Sequence, residues 1–354
     1  MAERSSGKPL ALAAVLVLLV LLTAAGGYAL LEHNYFAPGP APATVRLNVA
    51  AGESLGSVFE RLAALGALRH PREVEWYLRL RRLTPRVEIG VYDLPAHASP
   101  AQIVRLFAQG RVVLDRITVV EGATFADFLH ELDADPDIDP TLRGRSDRQI
   151  MAALGHPGQN PEGRFFPSTY RFSPGTPDLT ILRMAYQQMS AMLARVWRGR
   201  EAGLPLKTPY QALILASMIE KETGVADERA RIAGVFVNRL RRGMRLQSDP
   251  TVIYGLGKRY HGTLTSGDLA ADTPYNTYTR GGLPPTPIAL PGLPSLLAAV
   301  HPAPTQDLYF VATGKGGHRF SKTLAQHDAQ LRRYLAQLRR AKRSASARPG
   351  GARP

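Results

Sequence analysis

The sequence contains no cysteine. That excludes disulfides, thiolate zinc sites and cysteine nucleophiles together, and it suits an exported protein that folds without oxidative help. Acidic residues are absent after Asp328. Beyond that point Arg332, Arg333, Arg339, Arg340, Lys342, Arg343, Arg348 and Arg353 supply +8 of the net +15, which leaves +7 for the rest of the chain. The basicity is therefore partly local, not the footprint of a general nucleic-acid surface. The tail ends in Ser, Ala, Gly and Pro, and it reads as a solvated, partly disordered extension.

What is present begins with length. The 354 residues suffice for two or three domains, and a 45% hydrophobic fraction is that of a globular protein. Leu10–Leu31 runs 22 residues without a charge. At about 1.5 Å per residue such a helix crosses a hydrocarbon core of about 30 Å. Arg4 and Lys8 precede the run, and Glu32 and His33 follow it. The positive-inside bias places residues 1–9 in the cytoplasm and everything after Leu31 outside. A cleaved signal peptide is the rival reading, because Thr23-Ala24-Ala25-Gly26 is rich in small residues. Signal h-regions span only about 7–15 residues, which favours an uncleaved anchor.

A Pro-rich stretch, Ala37-Pro38-Gly39-Pro40-Ala41-Pro42-Ala43, reads as a stiff spacer within residues 32–44. A weak repeat follows. Residues 47–62 (LNVAAGESLGSVFERL) align with 117–132 (ITVVEGATFADFLHEL). Each has an apolar strand, a turn glycine (Gly52, Gly122), an N-cap hydroxyl (Ser54, Thr124) and an amphipathic helix. Further helices are predicted over 179–198, 209–223 and 228–242, the last stopping at Gly243. A Gly-, Pro- and Thr-rich stretch over about 244–292 reads as a long functional loop. Leu308–Ala312 and His318–Phe320 read as a hairpin. The predicted fold class is α+β: one transmembrane helix over 10–31, a βα module over 45–115, a mixed catalytic domain over 116–330 and a basic tail over 331–354.

The segment with most chemical content is Ala212–Gly224 (ALILASMIEKETG). From Ala212 to Ile219 the only polar side chain is Ser217, so this helix is expected to be buried all round. It then meets Glu220, stacked above Ala216 and Leu213, with Ser217 at i−3. A carboxyl in so apolar a setting suits general acid catalysis. Glu222 lies about 200° further round the helix, so the two carboxylates are not expected to share a site. The bland reading is a buried ion pair, with Arg239 or Arg164 as partner. Gln247, Ser248, Asp249, Thr251 and Tyr254, with Tyr275, Asn276, Thr277 and Tyr278, supply amides, hydroxyls, carboxylates and flat rings suited to sugars. Asp249, Asp268 and Asp272 can also be ordinary loop carboxylates. His301, His318 and His327 are scattered in sequence and form no metal motif.

Seven segments together resemble one family: Glu162–Tyr170 (EGRFFPSTY), Ala216–Thr223 (ASMIEKET), Phe236–Leu240 (FVNRL), Gln247–Thr251 (QSDPT), Tyr275–Tyr278 (YNTY), Gly282–Pro285 (GLPP) and Gly314–His318 (GKGGH). In this order they resemble the endolytic murein transglycosylases of the MltG (YceG-like) family. The resemblance implies a single-pass protein of the cytoplasmic (inner) membrane whose LysM-like module precedes an extracytoplasmic catalytic domain. It implies lytic cleavage of peptidoglycan between MurNAc and GlcNAc within strands, leaving 1,6-anhydro ends and acting on nascent strands to end their elongation. It places the catalytic acid and base at Glu220. Substrate contacts are expected from Glu162, Ser217, Gln247, Asp249, Tyr254, Asn276, Tyr278 and His318, with no metal and no cofactor. Peptidoglycan synthases are expected partners, and nucleic acid is not. One departure is Ser168, where the family usually has Asp. Two alternatives remain: a non-catalytic anchored glycan-binding protein, and a muramidase-type hydrolase using the same Glu.

Overall fold

A computed structural model describes residues 7–50, 52–314 and 316–346. The chain folds as two compact units, one comprising residues up to Asp115 with Arg171–Gly175, the other Arg116–Tyr170 with Thr176 onward.

In the first unit, α1 (Gly7–Phe36) is one uninterrupted helix, and its stretch Ala11–Phe36 is long and apolar enough to cross a membrane. It outruns the expected 10–31 span by a turn and more, and the extra turn is packed. Tyr35 is buried, with its ring stacked 4.2 Å from that of Tyr77. The Pro-rich stretch after it is no free spacer. Gly39 N–H donates to His97 O at 3.1 Å and His97 N–H to Ala41 O at 2.8 Å, so the segment is tied down by backbone pairing. Then come β1 (Val45–Val49), α2 (Leu55–Ala64), α3 (Pro71–Leu80), β2 (Gly90–Leu94) and α4 (Pro100–Ala108). β1 and β2 pair antiparallel, from Val45↔Leu94 to Val49↔Gly90, which makes a βααβ unit. Its core gathers Leu47, Phe59, Leu62, Tyr77, Tyr92 and Phe107 from alternate strand positions and single helix faces.

The second unit begins within β3 (Asp115–Thr118), at Arg116, and β3 leads into α5 (Phe125–Ala134), the other half of the repeat. Gly122 takes φ +81° where Gly52 takes +78°, and Thr124 caps α5 as Ser54 caps α2. Two chain segments alike in sequence thus make the same left-handed turn, which glycine adopts at no steric cost. After α5 come β4 (Ile138–Asp139), α6 (Asp147–Ala153), β5 (Thr169–Phe172), β6 (Thr176–Pro177) and α7 (Asp178–Arg198). β3 pairs with β5, and β4 with β6 in parallel.

The rest of this unit is α8 (Pro209–Glu222), α9 (Arg229–Arg241), α10 (Asp249–Leu256), α11 (Ser266–Ala270), α12 (Leu293–Val300), a hairpin of β7 (Tyr309–Ala312) and β8 (His318–Ser321), and α13 (Leu324–Ser346). Helices α7, α9, α10 and α12 all touch α8. That explains a helix apolar on every side, for each face of α8 has a partner. The stretch expected to be irregular over 244–292 contains α10 and α11; Pro250 at the first turn of α10 starts a short helix that composition alone disguised. The tail expected to be an extension is helical through Ser346, and α13 lies against both strands of the hairpin. Residues 347–354 lie outside the described ones. The class is α+β, as expected, with helix predominating.

Candidate active site

The site is built at the C-terminal end of α8. Thr208 caps the helix by accepting from Gln211 N–H, Pro209 takes its first position, and every residue from Ala212 to Ile219 is buried. Glu220 follows on the last turn with its side chain 6% exposed. Its partner is neither Arg239 nor Arg164. Gly292 N–H donates to Glu220 Oε2 at 2.9 Å, and Arg229 Nη2 lies 3.8 Å from Oε1. Gly292 is also the N-cap of α12, so Glu220 faces the positive end of a helix.

What brings these pieces together is an extended segment, Ile288–Gly292, that offers alternate amides to its neighbours. Ile288 N–H donates to Ser217 Oγ at 3.0 Å, Leu290 N–H to Ala123 O at 2.7 Å, and Gly292 N–H to Glu220. Gly122 N–H returns a bond to Leu290 O at 2.9 Å. Ser217 Oγ itself donates to Ile214 O at 2.7 Å and has no exposure, so it fastens this segment to α8.

The same pairing delivers a second carboxylate. Glu121 immediately precedes Gly122, and a Cβ placed on Gly292 would fall 1.9 Å from Glu121 Oε1. Glu121 and Glu220 therefore converge on Gly292. Burial, and then the charge of Glu220, raise the Glu121 pKa above the usual carboxylate value, while Arg229 opposes the rise. Arg229 Nε is buried and has no hydrogen-bond partner among the described residues. Lys221 Nζ donates to Gly122 O at 3.1 Å.

Glu222 points elsewhere, as the 200° rotation requires. With Arg239, Gln247, Asp249, Tyr278 and His318 it lines a cavity of about 520 Å³. Burial lifts the Glu222 carboxyl to about 7, against a hydrogen bond donated by Ser248 Oγ. Tyr278 Oη donates to Asp249 Oδ1, and burial followed by that bond raises the phenol, which stays a donor. His318 gives its backbone N–H to Glu228 Oε1 at 2.7 Å and sets Nδ1 2.8 Å from Oε2. His327 lines the same cavity, so two of the scattered histidines meet there, whereas His301 lies by Glu201. Arg239 is buried and donates to the carbonyls of Leu308 (2.6 Å) and Leu246 (2.8 Å) and to Gln247 Oε1 (3.2 Å). That grip holds Gln247, whose φ is +52°, in a left-handed conformation uncommon for a residue with a side chain.

The remaining candidates sit inside the frame. Glu162 is 5% exposed; its Oε1 accepts from Phe125 N–H at 3.1 Å and its Oε2 from Tyr254 Oη at 3.0 Å. Burial raises it to about 7, against those bonds. Asn276 has no exposure, and its amide donates to Leu269 O and Ala271 O. Four of the eight expected substrate contacts, Gln247, Asp249, Tyr278 and His318, thus share one cavity. Glu162 and Tyr254 bond each other, and Ser217 and Asn276 are enclosed. Sequence reasoning missed Glu121, Arg229 and Gly292. The one signal that could have found them was Glu121 itself, a charge at the repeat position that Ala51 occupies in the first copy.

Residues 47–333 match the family model described as the YceG-like family. An endolytic murein transglycosylase of Bacillus subtilis is 29% identical over 310 residues, covering 83% of this chain and 85% of that protein. One from Streptococcus pneumoniae is 26% identical over 359 residues, covering 90% of this chain but 64% of that longer protein. A crystal structure of a yceG-like protein from Listeria monocytogenes is 28% identical and covers 81% of this chain, with a TM-score of 0.49.

Proposed function

This chain belongs to the YceG-like family, and we propose that it is a membrane-anchored peptidoglycan lytic transglycosylase that cuts MurNAc–GlcNAc bonds within glycan strands. The observation that carries the reading is Glu220, nearly enclosed at the end of an apolar helix, with Gly292 N–H and Arg229 beside its carboxylate. The similarity to endolytic murein transglycosylases along most of the chain supports it.

Glu220 protonates the bridging oxygen as the glycosidic bond breaks, and positive charge builds at the anomeric carbon. Gly292 N–H and Arg229 offset the carboxylate charge left behind. The sugar's own N-acetyl group assists, and Glu220 then takes the proton of the 6-hydroxyl as that oxygen closes on the anomeric carbon. A 1,6-anhydro end forms and no water is added. Gln247, Asp249, Tyr278 and His318 contact the glycan from the cavity wall, while Ser217, Glu162, Tyr254 and Asn276 hold the loops that carry them. The basic residues Arg4 and Lys8 put the N-terminus in the cytoplasm and the rest outside. The βααβ arrangement of the first unit supports a LysM-like glycan-binding role. Anchoring suits action on nascent strands beside their synthases, ending elongation; absence of any cross-link to a synthase in membranes counts against that partnership.

Glu121 favours a second reading. A second carboxylate at the site is what a hydrolase uses to hold charge or activate water. Mass spectrometry of the products from purified glycan separates the two. Ends lighter by about 18 Da, one water, and absent with Glu220→Gln, are expected for the lyase. Full-mass reducing ends would establish hydrolysis, and intact glycan would leave a binding protein.

A further inference from the structure

The first unit carries an exposed surface that the glycan chemistry does not use. Helix α3 runs antiparallel to the end of α1: Asn34 donates to Glu73 at 2.8 Å, Tyr35 stacks on Tyr77 at 4.2 Å, and Arg81 Nη1 donates to Tyr28 Oη at 3.3 Å. As residue numbers rise along α3 they fall along α1, so α3 heads back toward the apolar span. About 20 residues cross the hydrocarbon core, so a helix entering near Leu10 leaves it near residue 30. Tyr28 then sits at the depth where aromatic rings mark the membrane–water interface. The hydrogen bond to Arg81 sets the C-terminal end of α3 at that same depth.

At this level the unit is apolar and basic on its outside. Trp76 and Leu80 share one face of α3 at i,i+4 and are 61% and 62% exposed; Leu83, just beyond the helix, is 46% exposed. Residues 71–86 hold five arginines, all exposed, and two glutamates; Arg79, Arg82 and Arg86 lie close in sequence to the apolar three. Arg79 shares its charge with Glu75 at 3.1 Å. Trp and Leu with arginine at their flanks is the composition of a surface lying in a lipid interface, with long basic side chains reaching the headgroups.

We propose that Trp76, Leu80 and Leu83 insert into the leaflet from which α1 emerges, while Arg79, Arg82 and Arg86 engage anionic phospholipid headgroups. The inference rests on the reading of α1 as a membrane span. The leaflet is the occupant because the helix contacts put this surface at its edge, and its charge matches acidic lipid. The consequence is a βααβ unit seated on the bilayer at a fixed tilt instead of swinging on a tether.

The test uses the full chain carrying Trp197→Phe, which leaves Trp76 as its one tryptophan, in vesicles whose acyl chains carry bromine. Emission from Trp76 is expected to be quenched in phosphatidylcholine vesicles containing phosphatidylglycerol. Quenching is expected to fall to the level of pure phosphatidylcholine when Arg79, Arg82 and Arg86 are changed together to Gln. Carbonate extraction is run on the same samples. A chain that resists extraction but shows no quenching overturns the proposal and leaves the anchor intact. Equal quenching in both lipids overturns the acidic-headgroup assignment. A chain released by carbonate overturns the anchor reading, and the seating with it.

Discussion

Gly292 donates its backbone N–H to Glu220 Oε2 at 2.9 Å while leaving no room for a side chain of its own beside Glu121. One residue thus bonds one carboxylate and makes way for the other. Gly292→Ala would bring its Cβ to 1.9 Å from Glu121 Oε1, and the exposed end of that side chain can swing away. The backbone φ of −76° suits alanine, so stability should change by less than about 1 kcal/mol. Glycan turnover should fall together with that of Glu121→Gln. Unchanged turnover in both variants, with thermal melting as the control for folding, would remove Glu121 from the site.

Arg229 bears on the ionisation of Glu121 as the weakest of three influences, behind burial and Glu220. Its charge opposes the rise caused by burial and by Glu220. Removing that charge in Arg229→Met raises the Glu121 pKa further. On the hydrolase reading an ionised Glu121 would hold the positive charge at the anomeric carbon, so activity would be lost at the acid limb of the pH profile. That limb should move to higher pH in Arg229→Met. A profile of kcat/KM against pH whose acid limb stays in place would show that Glu121 takes no part.

On the proposed reading the cavity around Glu222 binds glycan and takes no part in proton transfer. Tyr278→Phe removes a donor from Asp249, and Asp249→Asn keeps an acceptor but removes its charge. Each should raise KM several-fold with little change in kcat, the mark of contacts made equally in ground and transition states. Glu220→Gln should do the reverse, lowering kcat by about 10²–10⁴ with KM little altered. A fall in kcat alone for Asp249→Asn would place the reacting bond on the Glu222 side of α8.

Helices α8 and α9 were legible in the sequence because apolar periodicity and cap residues agree, and Glu220 was legible because an unbroken apolar run ends on it. Glu121, Arg229 and Gly292 were not. They come from three segments joined by backbone bonds from Leu290 and Gly292, and a backbone amide has no sequence signature. The Pro-rich stretch shows the same limit. Its composition says stiff and extended, but Gly39 packs where a Cβ would stand 2.3 Å from Ala98 O, a tertiary fact that composition does not hold. Ser217 and Asn276 were recognised as notable polar residues, yet their roles turned on burial, which places their hydrogen bonds inside the frame.

The buried carboxyls Glu162 and Glu222 make stability depend on pH with a definite sign. Burial raises both from 4.5 to about 7 in the folded chain. Between those two values the native state holds more protons than the unfolded state, so stability falls as pH rises across the window. The loss is on the order of 3 kcal/mol per group at most, since a tenfold change in proton affinity is worth about 1.4 kcal/mol. Above about pH 7 both are ionised in both states and the dependence flattens. Glu162→Gln keeps an acceptor for Phe125 N–H but no longer titrates, so its share of the slope should vanish. Urea denaturation at pH 5, 6, 7 and 8 checks this: the native chain should lose more stability across the series than Glu162→Gln. Parallel curves for the two would mean that Glu162 titrates as it does in the unfolded chain, and that the bonds from Tyr254 and Phe125 offset its burial in full.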